Sequence, residues 1–308
     1  MRALRAALVA CTCHAASPLA AAPLVEQAIK VPGYADFLAV DGNSVWVTNK
    51  GRVERWSRRG KLASVAMAGP CGTMALAAGS LWVADCVDKT LNRIDLVTAR
   101  MMAKIPTGIA SPDGELNVVS GAGSIWVASN RGGGIARVDP ARNRVVTTIA
   151  ADPGSQYLAF GAGALWAVSS ARGTLQKIDP GSNQVTRRAR LGRQPGFLAV
   201  GEGAVWVQEQ ADGTVARIDP ATVAVTGRVK VDASLKYGDI DTGGGRVWLR
   251  TTERQTFVVI DPKSLAIVMR VGAPSGSGAL RHTPAGIWTT AHDRQTLSWW
   301  ATPPQKRN

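Results

Sequence analysis

Tryptophan recurs at Trp46, Trp82, Trp126, Trp166, Trp206, Trp248 and Trp288, each time in a short apolar cassette such as Ser44-Val-Trp-Val, Ser80-Leu-Trp-Val or Ala204-Val-Trp-Val. Seven copies of one unit, 36 to 44 residues apart, define a repeat architecture, because a unit this small cannot bury its apolar face alone and must stack on its neighbours. Thirteen residues after five of these tryptophans stands an aspartate: Asp95, Asp139, Asp179, Asp219 and Asp261, four of them followed by proline. A spacing that rigid joins two strands in one hairpin.

Each unit reads as four short strands. In the unit from Gln194 these are Gly196 to Val200, Val205 to Gln210, Thr214 to Ile218 and Val223 to Val231. Val, Ile, Trp and Thr dominate them, and apolar and polar residues alternate as half-buried strands require. Four-stranded units of this length predict an all-β chain folded as a seven-bladed β-propeller of antiparallel blades. After Trp288 the last unit has only three strands, and Val25 to Gly33 carries the pattern of an outer strand. The N-terminal segment is therefore expected to complete the last blade and remove an exposed edge. The propeller spans 23–303, with 304–308 a short tail. The five aspartates suit turns, where a carboxylate accepts from the amides beyond it and Pro presets φ.

Residues 1–22 read as an export signal, with Arg2 and Arg5 ahead of the apolar Ala6 to Cys13 and a small-residue cleavage zone at Leu19 to Ala22. A periplasmic or secreted location follows. Leu8-Val9-Ala10-Cys11 also resembles a lipobox, which would anchor the chain through a lipid on Cys11. Loss of the signal leaves two cysteines, Cys71 and Cys86. The turn at Ala78-Gly79 places them directly opposite each other on paired strands, within disulfide reach. A reduced buried pair and a thiolate metal site stay open beside the bridge.

The cassettes Val45-Trp-Val-Thr-Asn49, Ile125-Trp-Val-Ala-Ser-Asn130 and Ile218-Asp-Pro-Ala-Thr222 resemble the YVTN repeats of bacterial extracytoplasmic propellers. They are also similar to the repeats of the virginiamycin B (streptogramin B) lyase family. The likeness runs over residues 24 to 303. It implies a seven-bladed propeller and, in the lyase branch, opening of a cyclic depsipeptide by elimination, with a histidine base and Mg²⁺ near the central funnel. That branch carries Trp-Phe-Thr-Glu strand ends and a Pro-His pair where a first strand begins. Here the second strands end with a single glutamate, Glu209, and no first strand begins with histidine. The usual His/Glu site is not matched.

A propeller's ligand face is built by the loops leading into first strands and out of second strands. Asn49, Lys50, Asp85, Asn130, Glu209, Tyr237, Asp239, Arg250, Glu253, Arg254, His292 and Asp293 fall there. His292 and Glu209 are the catalytic candidates: imidazole titrates near neutrality and His292 adjoins Asp293, although adjacent strand residues point to opposite faces, so no His-Asp dyad is implied. Asn49, Asp85, Asn130, Tyr237, Asp239, Arg250, Glu253 and Asp293 are the candidate binding face. A metal on Asp85, Glu209, Asp239 or Asp293 would need these single residues of separate blades to converge. No phosphate loop, Gly-x-Ser-x-Gly elbow or haem motif is present.

The formal charge of +14 raises the question of a polyanion. The outer strands and their incoming turns hold 16 Lys/Arg against Glu26, Asp152 and Asp232, so the basicity belongs to the outer rim, where edge strands carry charge against pairing. The reading is a monomeric binding or interaction module taking a small molecule or peptide at its funnel face. Nucleic acid is not expected, and contact of the outer rim with a polyanion is a lesser role. The alternative is a lyase-like enzyme. No cofactor is implied otherwise, and Mg²⁺ only in the lyase case.

Overall fold

The computed structural model describes residues 23–109, 116–236 and 238–302. The expected export signal at 1–22 with Cys11, the 304–308 tail and Tyr237 lie outside the described residues. Within them the chain forms seven four-stranded antiparallel sheets and two short 3₁₀ turns. No described helix is long and apolar enough to cross a membrane.

The sheets are the blades of a seven-bladed propeller: 38–66, 70–106, 118–150, 155–190, 195–230, 240–271, and 280–301 with 25–30. Their first strands neighbour one another around the central channel, and Leu38–Asp41 meets Leu280–Thr283 to close the ring. Second strands are covered by a blade on each side, so Ser80–Asp85 and Ala204–Glu209 are buried at every residue. Fourth strands face solvent on one side and alternate, as in Arg144–Ala150. This gradient explains why the cassette is apolar throughout while the outer strands alternate and carry charge.

Closure is as expected. Val25–Lys30 is the outer strand of blade 7 and pairs antiparallel with Thr296–Ala301, Val25 opposite Ala301 and Lys30 opposite Thr296. The five repeated aspartates are turn caps. Asp219 Oδ1, for example, accepts from the amides of Ala221 at 3.0 Å and Thr222 at 2.7 Å, and the other four do the same for residues two and three ahead. All five carboxyls lie below their usual pKa, Asp139 and Asp179 chiefly through side-chain hydrogen bonds from Arg142 and Ser182 and the others chiefly through these amides.

The Cys71–Cys86 disulfide is present, with Cα atoms 6.0 Å apart, but the expected register is corrected. Cys71 lies opposite Ala84, because the ladder slips between Cys71 and Ala75. Gly72 causes the slip: its φ is +76°, and its Cα abuts the Leu116 carbonyl of blade 3, where any side chain would collide. The bulge shifts Cys71, and the bridge reaches Cys86 just past the end of the strand.

Candidate functional site

Equivalent residues stand at the start of, or just before, the first strand of every blade. Nine residues before each cassette tryptophan stand Phe37, Thr73, Asn117, Tyr157, Phe197, Asp239 and Ala279, all buried. Ring closure brings three of them together from separate blades. Phe37 of blade 1 reaches Phe197 of blade 5, ring centroids 6.0 Å apart, and Tyr157 of blade 4 packs edge-on against Phe197 at 4.7 Å.

These rings divide the channel. Beneath them a compartment of about 320 Å³ is lined by Ala75, Ala159, Ala199, Asp241 and Arg281 among others. Above them, on the predicted ligand face, a cavity of about 380 Å³ is lined by Tyr34, Asp36, Phe37, Phe197, Gly238, Asp239, Ser277, Gly278, His292 and Asp293. Its walls come from blades 1, 5, 6 and 7. A neighbouring cavity of about 370 Å³ shares Tyr34, Asp36 and Phe37 and continues along Asn49, Lys50 and Gly69.

His292 opens a 3₁₀ turn, His292–Arg294, so the strand alternation that would separate it from Asp293 does not apply. Its Nδ1 is 3.0 Å from Asp293 Oδ1, within ion-pair range but off the axis of a hydrogen bond. On its other side Nε2 lies 3.2 Å from the Tyr34 hydroxyl, and the two rings stack at 4.1 Å. Burial lowers the His292 pKa. Asp293 opposes that shift without cancelling it, and Arg250 adds to it. The imidazole is therefore neutral at pH 7 and can accept a proton.

Blade 6 adds two charged groups, one in the wall and one behind it. Asp239 accepts from the Ile240 and Leu280 amides and pairs with Arg281. Arg250 is 1% exposed. It donates to the carbonyls of Thr251, Thr256, Gly276 and Thr290 and to Ser275 Oγ. Burial, with repulsion from Arg294, lowers its pKa to about 10.

Of the sequence candidates, His292, Asp239 and Asp293 line the cavity, Arg250 braces its wall from behind, and Asn49 borders the neighbouring cavity. Asn49 also fixes the strap that carries Tyr34, accepting from the Tyr34 amide and donating to Pro32. Asp85 is buried and caps the amides of Gly69, Val87 and Asp88. Asn130 accepts from the Gly134 amide in its own hairpin. Glu253 is exposed beside a shallow groove with Arg254.

Glu209 lines neither cavity. Its carboxylate receives Arg228 through two nitrogens at 2.8 and 3.0 Å, Thr214 Oγ1 at 2.6 Å and the Gly192 amide at 2.7 Å. Burial pushes its pKa up, but these hydrogen bonds outweigh that and leave it lowered. A carboxylate so held is ionised and saturated.

The lyase resemblance implies Mg²⁺, which needs a converging set of donors. Among the described residues no three of His, Cys, Asp and Glu converge to hold a metal ion. Asp36, Asp239 and Asp293 share the cavity, yet Asp239 is held by Arg281. On the outer rim, Lys61, Lys104, Arg142, Arg188, Arg193 and Arg228 each pair with a carboxylate.

Residues the sequence reading missed are Asp36, Phe37, Phe197 and Gln208. The last is fully buried beside Gly238, with neither amide atom hydrogen-bonded. Phe37 and Phe197 had a signal, their constant offset from the cassette tryptophan.

No protein-family model matches the chain, and no curated protein matches it by sequence. Its fold is matched among solved structures. A catalytically inactive virginiamycin B lyase from Staphylococcus aureus, solved with quinupristin, superposes with a TM-score of 0.77 at 14% identity over 90% of this chain and 99% of that one. A streptogramin B lyase gives 0.75 at 13% identity, over 90% and 97%. The β-propeller domain of Cps50 (Swd1) from Myceliophteria thermophila gives 0.73 at 12% identity, over 90% and 99%. Two unlike proteins fit almost equally well, so the likeness establishes the propeller and leaves function to the cavity.

Proposed function

We propose that this chain is an exported seven-bladed propeller that binds a small organic molecule in the funnel cavity above the Phe37–Phe197 contact. One observation carries the reading: aromatic rings from blades 1 and 5 close the channel and turn an open pore into a pocket of about 380 Å³. That lies in the size range of ligand sites, and two phenylalanine rings meet six polar side chains there. The Cys71–Cys86 disulfide fits an extracellular setting. Native mass spectrometry of protein purified from its source compartment tests the reading. A bound small molecule that is lost from a Ser277→Phe variant, whose new ring fills the pocket, supports it. Identical bound species in both proteins would remove it.

A lyase-like elimination is the second reading, favoured by the neutral His292 beside the Tyr34 hydroxyl. A neutral imidazole can take the proton that elimination requires. Ring opening by elimination leaves product mass equal to substrate mass, whereas hydrolysis adds one water. Incubation with quinupristin followed by chromatography and mass spectrometry separates the outcomes. A new isobaric species that His292→Ala abolishes supports the enzyme, and unchanged substrate at high protein concentration counts against it.

A further inference from the structure

Within the ligand-binding reading just given, on which this inference rests, we propose that the funnel cavity selects an organic cation, an ammonium group carried beside a planar or aliphatic body. Its described lining has three carboxylates, Asp36, Asp293 and the Arg281-paired Asp239, and no lysine or arginine. The same lining presents the rings of Tyr34, Phe37, Phe197 and His292. Carboxylates supply long-range attraction, and the faces of stacked rings hold a cation that has shed part of its water.

The nearby arginines do not reverse this. Arg250 lies behind the wall, 1% exposed, with all three guanidinium nitrogens engaged by carbonyls and Ser275. Arg281 is turned onto Asp239 and the Leu280 carbonyl. In the described lining of this cavity an anionic ligand would meet carboxylates and no lysine or arginine.

An independent feature points to an occupant. The His292 side chain is 10% exposed, lines the cavity, and leaves Nδ1 without a hydrogen bond. Buried polar atoms of folded proteins are ordinarily satisfied, and the N–H of a bound ammonium is a donor of the kind this atom lacks. Tyr34, half exposed on the strap from blade 7 to blade 1 and stacked on His292, forms the outer wall at the mouth.

The test uses the whole chain and three probes of one shape. Benzylammonium is the cation, ethylbenzene its neutral isostere, and phenylacetate an anion of similar size, each titrated by calorimetry. The cation is expected to bind about tenfold more tightly than the neutral probe, with phenylacetate weakest. Asp293→Asn and Tyr34→Leu, both at exposed positions, should each erode that preference while far-ultraviolet circular dichroism stays unchanged. Equal affinity for cation and isostere, tighter binding of phenylacetate, or no binding of the cation overturns the proposal. If the neutral or anionic probe binds and Ser277→Phe blocks it, the funnel remains a ligand site and only the cation selectivity fails. If Ser277→Phe leaves every probe's binding intact, the funnel reading fails with it.

Discussion

Arg93 lies over the ring of Trp82, 5.1 Å from its centroid, and its guanidinium donates at 2.7 Å to the Pro140 carbonyl in the next blade. The arrangement repeats because Arg93 pairs directly with Trp82 across the hairpin. Arg55 on Trp46 reaches Leu96, Arg137 on Trp126 reaches Pro180, and Lys177 on Trp166 reaches Pro220. Four successive seams, from blade 1 to blade 5, are thus tied by a cation that covers its own blade's tryptophan. At the next position Arg217 turns back to Thr226 of its own blade, and Trp248 and Trp288 face Val259 and Trp299. The untied seams border the funnel cavity, and buried polar contacts such as Asp239 with Arg281 replace the ties there.

Arg137→Ala should destabilise the fold by about 1–2 kcal/mol, combining a cation–π contact with hydrogen bonds to Pro180 and Asn183. Arg217→Ala, which removes no tie between blades, should cost visibly less. Urea denaturation of the two variants side by side measures the difference, and equal losses would remove the tie as an explanation.

Replacing both Cys71 and Cys86 with serine should lower stability by about 3 kcal/mol, the loop-closure value for a separation of 15 residues. The loss should match that of wild type in reductant, because the bridge acts mainly on the unfolded chain.

Burial lowers the pKa of both His292 and His282. The unfolded chain therefore binds more protons than the folded one just below the ordinary histidine value near 6.5. Stability should be full above that value and fall as pH drops through the folded-state values. Melting temperatures between pH 7.5 and 5 check this, and His292→Gln should flatten the slope. The five turn aspartates, also lowered, act in a separate window below the carboxylate value, where stability is lost as they protonate.

Glu209→Gln should destabilise by about 1–3 kcal/mol, since it leaves the half-exposed Arg228 without its carboxylate. It should leave funnel binding of benzylammonium unchanged, because Glu209 does not line the cavity. His292→Gln should do the reverse, weakening binding with little loss of fold. Calorimetry and urea denaturation on the same two variants decide both.

The sequence by itself determined the number of blades, the closing strand and the caps at the Asp turns. Each of these follows from short-range chemistry repeated at a fixed period, so one unit reads the next. The Cys71–Cys86 pairing was also legible, but its register was not, because the bulge at Gly72 answers to Leu116 of another blade. Among the site candidates, His292 and Glu209 were both read as catalytic residues at the ends of second strands. Only tertiary structure separated them, giving one a cavity wall and the other Arg228, Thr214 and Gly192. The same holds for Phe37 and Phe197, 160 residues apart in the chain and in contact only once the ring closes. Blade chemistry is local and periodic, whereas the pocket belongs to the closed ring, and no single repeat contains it.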